Sequence, residues 1–148
     1  MRKIRGPLLA ALLLSSSALT LAAPAPASAP AGTPYIVLDH STEFLMDGAV
    51  AGSVWKEYAS DKVRKLYPAK KWGFVSQVMG GFTAEKTCVV TARAMILPRA
   101  RKELLFKPAK TASTFGAIPN ASNEQCKALA RTKLGEAIGA IESALIEH

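Results

Sequence analysis

Asp39-His40-Ser41 places the acid, the imidazole and the hydroxyl of a hydrolytic triad in three consecutive positions. Such a relay requires three side chains to converge on one reacting atom, which sequence neighbours cannot easily do. A small secreted hydrolase using His40 and an acidic neighbour therefore stands as an alternative and not as the leading reading. Asp39, Glu43 and Asp47 recur at four-residue steps. They would share one face if the stretch were helical, as a cation site or an acid/base pair needs. Acids near a helix start are equally explained by the helix dipole. The other histidine, His148, is the terminal residue, and neither H-E-x-x-H nor C-x-x-C occurs. Gly80-Gly81 lacks the lysine and hydroxyl of a phosphate-binding loop and reads as strand punctuation. The sequence thus assigns no catalytic residue, no metal and no cofactor.

Two cysteines, Cys88 and Cys126, are 38 positions apart. In an oxidising compartment an even pair most simply forms one disulfide. Two basic clusters remain. Lys62, Arg64, Lys65, Lys70 and Lys71 interleave with Tyr67 and Trp72, and Arg99, Arg101 and Lys102 are followed by Lys107 and Lys110. Cations so placed suit an acidic protein, lipid headgroups or an anionic envelope polymer, although they also suit a solvated helix face and a solvated turn. Arg99, Arg101 and Lys102, crowded behind Pro98 with little apolar residue to bury them, are the candidate partner-binding residues. Asn120-Ala121-Ser122 matches the glycosylation acceptor pattern, but a helix cap at Ser122 accounts for it.

These residues must be held by elements that the apolar pattern outlines. Tyr35 to Leu38 is β-prone but too short to assign to a sheet. Asp47 to Tyr67 has helical spacing, weakened near its start by Gly48 and Gly52 and ended by Pro68. Lys71 to Phe82 and Lys86 to Leu97 read as two strands joined around Thr83-Ala84-Glu85, with Cys88, Val90, Ala92, Ala94 and Ile96 on one face of the second. Pro98 is expected to close that strand. Glu103 to Lys107 is expected to form a third strand and Thr111 to Ile118 a weaker fourth. Ser122 and Gln125 have capping-box spacing, and Cys126, Leu129, Ala130, Leu134, Ala137, Ile138, Ile141 and Leu145 form the stripe of a helix from Asn123 to Ile146. The resulting fold is an α+β domain: an antiparallel three- to four-stranded sheet with N- and C-terminal amphipathic helices packed on one face. Bonding Cys126 to Cys88 would pin the terminal helix onto that face.

Residues 1–31 have the layout of a secretory signal peptide and processing region. Arg2, Lys3 and Arg5 precede an apolar run from Leu8 to Ala23, and small residues and prolines follow. Residues 32–148 then constitute a single secreted α+β domain. Subtracting the three leader cations from the formal +8 leaves +5, which favours anionic surfaces without singling out nucleic acid. No stable membrane insertion is expected after cleavage. The leading expectation is a non-enzymatic, secreted or periplasmic binding or accessory protein of the cell envelope, whose partner is an envelope protein or an anionic polymer. A periplasmic inhibitor or immunity protein against a toxic enzyme is a further alternative. The sequence leaves the oligomeric state and the biological role open.

Overall fold

A computed structural model describes residues 36–101 and 103–145 of the chain. The leader, Lys102 and residues 146–148 lie outside the described residues, and so does the signal-peptide expectation. The order of elements is β1 (Ile36–Asp39), α1 (Gly48–Tyr58), α2 (Asp61–Leu66), β2 (Trp72–Phe82), β3 (Cys88–Ala100), β4 (Glu103–Leu104), β5 (Lys110–Ile118) and α3 (Asn123–Ser143). The fold class is α+β.

The sheet is mixed, which corrects the expected antiparallel arrangement. β2, β4 and β5 each run antiparallel to β3, but β1 runs parallel to β2, with Val37 beside Phe74 and Asp39 beside Ser76. A parallel neighbour requires a crossover, and α1 with α2 supplies it between β1 and β2. The short Ile36–Asp39 run is thereby a sheet member, extended by the His40 N–H to the Ser76 carbonyl (2.9 Å) and the Thr42 N–H to the Val78 carbonyl (2.8 Å). It also means that the first described element is a strand and not a helix.

The helix expected over Asp47 to Tyr67 is two helices. Asp47 caps α1 by accepting the Val50 N–H at 2.8 Å. Ala59 leaves helical geometry, and Ser60 starts α2 by accepting the Val63 N–H at 3.4 Å, with Asp61 in its first turn.

β3 continues through Pro98 to Ala100. Proline lacks only its N–H, and β5 has already left β3 beyond Ile96, so no ladder donor is lost there. The Pro98 carbonyl still accepts the Leu105 N–H at 2.8 Å. β4 is only Glu103–Leu104, shorter than the Glu103 to Lys107 strand expected, because the chain turns away at Leu105. Lys110–Ile118 forms nine residues of full pairing with β3 despite Ser113 and Gly116.

One face of the sheet carries the core. Phe74, Val78, Cys88, Val90, Ala92, Ala94 and Ile96 are buried there with Trp55 from α1 and Cys126, Leu134 and Ile138 from α3. α3 packs on β3 and β5, and α1 packs on α3 and β1. A buried polar pair joins α1 to the sheet: Trp55 Nε1 donates to Ser76 Oγ at 2.9 Å, so neither group is left unsatisfied. α3 opens on a complete capping box between Ser122 and Gln125 and ends at Ser143, short of Ile146. Cys88 and Cys126 form the disulfide, with Cα atoms 5.6 Å apart.

Candidate functional site

The Asp39-His40-Ser41 segment does not assemble a relay. Successive side chains of a strand point to opposite faces, so Asp39 and Ser41 turn inward while His40 turns outward. The Ser41 hydroxyl donates to Asp39 and also accepts the Val78 N–H at 2.9 Å, which occupies both groups in fixing the end of β1. Asp39, Glu43 and Asp47 do not share a helix face: they lie in β1, in a turn and at the α1 cap. Among the described residues no group of three His, Cys, Asp or Glu side chains could hold a metal.

The outer face of the sheet is where exposed apolar surface and unpaired cations meet. Register places Leu38, Val75 and Met95 in one row across β1, β2 and β3, Gln77, Arg93 and Ser113 in the next, and Met79, Thr91 and Phe115 in a third. Among the described residues no helix covers these rows as α1 and α3 cover the other face. Met79 is 54% exposed and Phe115 63%, and Phe106, beyond β4, is 87% exposed. Large apolar groups gathered on one open face mark a contact surface more often than singly scattered ones do.

Two clefts indent this face. One, of about 340 Å³, lies between the sheet and the segment after the β3–β4 hairpin, with Leu38, Val75, Leu97, Leu104 and Phe106 as its apolar walls and Arg99 and Glu103 at its edge. The other, of about 430 Å³, is formed by His40, Gln77, Arg93, Met95 and Phe106. His40 and Phe106 belong to both, so the clefts adjoin. Arg93 Nε donates to Ser113 Oγ at 3.2 Å, which orients the guanidinium without neutralising it. Neither Arg93 nor Arg99 has a carboxylate partner among the described residues.

The three cations expected to act together are not equivalent. Arg99 belongs to β3, half-buried, with Nη1 donating to the Ala69 carbonyl at 3.3 Å and a buried Nε that has no acceptor among the described residues. Arg101 stands exposed at the hairpin turn with φ of 58°. Lys102 lies outside the described residues.

A third cleft, of about 460 Å³, separates the turn at Glu43–Asp47 from α3. Its cations are already paired: Lys127 with Glu124 at 3.5 Å, and Arg131 with Glu57 at 2.8 Å. Tyr67 is pushed above its ordinary pKa by burial, and Glu85 is held below the usual carboxylate range by its own backbone N–H and then by the Thr83 hydroxyl. Neither residue lines the outer groove.

Among the described residues no helix is long and apolar enough to cross a membrane. No protein family matches the chain, and no curated protein matches it in sequence. Among solved structures it has a distant likeness to the dodecameric PelC of Paraburkholderia phytofirmans, with 9% identity and a TM-score of 0.44 over 73% of this chain and 87% of that one. A likeness that slight carries no argument about function or assembly.

Proposed function

We propose that the protein is a non-enzymatic binding or accessory protein of the cell envelope, secreted or periplasmic, and that it engages an envelope protein through the outer face of its sheet. The observation that carries this reading is the open face itself. Met79, Phe106 and Phe115 remain solvent-exposed on or beside it, around an arginine, Arg93, with no acidic partner among the described residues. A surface of this make-up suits a partner that presents apolar residues flanked by carboxylates. The secretory layout of residues 1–31 and the Cys88–Cys126 disulfide support the envelope as the place of action. Arg101, exposed at the turn, contributes long-range attraction, which salt screens over about 10 Å at 0.1 M.

A photo-crosslinking residue placed at Met79 or Phe115 in the producing cell tests the reading, with exposed Thr132 on α3 as the control position. A discrete protein adduct is expected from the two sheet positions and not from the control, and Arg93→Glu should weaken it. Arg101→Gln should slow association at low salt without moving Tm. Equal adducts at all three positions, or none at any, would sink the proposal. Intact mass of the exported protein checks its location: loss of about 30 leader residues is expected, and retention of Met1 would contradict it.

A further inference from the structure

The two adjoining clefts of the outer face are both largely apolar, and they differ in the charges they hold. The first is apolar, and at about 340 Å³ it reaches the lower end of the range that encloses small ligands. Leu104, one of its walls, sits directly over Gly73, where a Cβ would come within 2.7 Å of a Leu104 methyl and oblige that side chain to shift. Beneath the segment that continues to Phe106, Val75 and Leu97 are shielded, whereas Phe106 itself stands in solvent at the wall common to both clefts.

The second cleft is also mostly apolar in surface, but it carries one cation of fixed orientation. It contains Arg93, Gln77 and His40 and no carboxylate. With Nε committed to Ser113, the terminal nitrogens of Arg93 present a two-pronged donor edge of the kind that matches a carboxylate. Leu97 and Arg93 face the same way four residues apart on β3, about 13 Å along the strand.

We infer that this groove binds a free single-chain anionic amphiphile, an alkyl carboxylate of medium length, with its tail along Leu38, Leu104 and Phe106 and its carboxylate on Arg93. Complementarity of charge selects this occupant. Arg93 and Arg99 outnumber Glu103, the one carboxylate lining the two clefts, so a cationic head is disfavoured, and a second copy joined by a two-fold axis would bring two Arg93-bearing faces together. Phe106 gains a covering partner when a chain lies across the groove. The inference rests on the reading of the outer face as the binding face, and it names a ligand for it.

Titration calorimetry of the exported, disulfide-bonded chain with decanoate, below its micelle concentration, tests the inference. Saturable one-to-one binding is expected, with none for acetate and at least about tenfold weaker binding of decyltrimethylammonium. Arg93→Gln should weaken decanoate by about tenfold or more with Tm unchanged, while strengthening decyltrimethylammonium, whose head no longer faces a like charge. Leu38→Asn should weaken both. Absence of saturable decanoate binding, equal affinity for the two decyl ions, or an Arg93→Gln chain that binds decanoate normally would each overturn the inference. If that happens while the adducts at 79 and 115 persist, the ligand is wrong and the face stands. Loss of both overturns the face as well.

Discussion

Three glycines turn the same substitution into three different outcomes. Gly80 and Gly81 sit near the end of β2 with φ of 140° and 154°, a region that is costly for any residue bearing a Cβ, by about 1–3 kcal/mol. At Gly81 nothing lies within 4 Å of where a Cβ would be, so Gly81→Ala should cost that backbone term alone. At Gly80 the added carbon would run into the carbonyl oxygen of Val89, which belongs to the neighbouring strand. Backbone cannot step aside as a flexible side chain can. Displacing it sacrifices at least one ladder hydrogen bond, so Gly80→Ala should cost at least about 1 kcal/mol more than Gly81→Ala. Gly52, inside α1 with open space around it, should respond in the opposite sense, Gly52→Ala stabilising by roughly 1 kcal/mol. Urea denaturation of the oxidised protein, followed by circular dichroism, measures all three against the parent. If Gly80→Ala proves no costlier than Gly81→Ala, the approach of β2 to β3 at this end is not as described. A destabilising Gly52→Ala would mean that α1 is covered on that side.

Leu134→Ala and Ile138→Ala should each cost about 2–5 kcal/mol in the same assay, because both side chains are buried in the core, and half-buried Leu129 should cost less; unchanged midpoints would mean that α3 does not bury this face. Replacing Cys88 and Cys126 together by alanine removes a cross-link over 38 residues and should cost on the order of 4 kcal/mol by loop entropy, with reduced parent protein approaching the variant; a parent insensitive to full reduction would contradict this. Ser76→Ala strands the buried Trp55 indole N–H and should cost about 1–3 kcal/mol, and a neutral result would place another acceptor beside Trp55.

Local chemistry is legible in the sequence wherever a residue acts on its own neighbours. The alternation around Cys88, Val90, Ala92, Ala94 and Ile96 is the buried face of β3, and the stripe from Cys126 to Ile141 is the buried face of α3. Both half-cystines lie at the start of their stripes, so pattern and disulfide agree. The misreadings are of another kind. Ser60-Asp61 is an internal helix start, but an apolar period that continues across Ala59 disguises the break. Pro98 resembles a strand end when only the missing N–H is considered, and whether that N–H matters depends on where β5 stops. Ile36–Asp39 pairs in parallel with a strand more than thirty residues later, and nothing in four residues encodes the direction of a remote neighbour.

The outer groove was hidden for the same reason, although one sign of it lay in plain view. Read along β3, the face opposite Cys88 alternates Val89, Thr91, Arg93, Met95 and Leu97, too apolar for a solvated face and too polar for a core. Such composition fits a surface wet on one occasion and covered on another. What the spacing cannot express is the return of the chain after β4, which lowers Leu104 onto Gly73 and carries Phe106 to the wall shared with His40. The candidate cations Arg99, Arg101 and Lys102 attract notice because they are close in sequence. Arg93 draws none, since its significance comes from Ser113 on β5, which orients it, and from having no carboxylate partner among the described residues. Charge density along the chain therefore points to the hairpin turn, whereas charge without a carboxylate partner among the described residues points six to nine residues earlier, to the middle of the sheet. The two readings make opposite forecasts for a single experiment: loss of the turn cation Arg101 should change how fast a partner arrives, and loss of Arg93 should change how long it stays. If Arg93→Gln alters only the association rate and its salt dependence, then the arginine is a solvated charge like the others and the groove has no anion site.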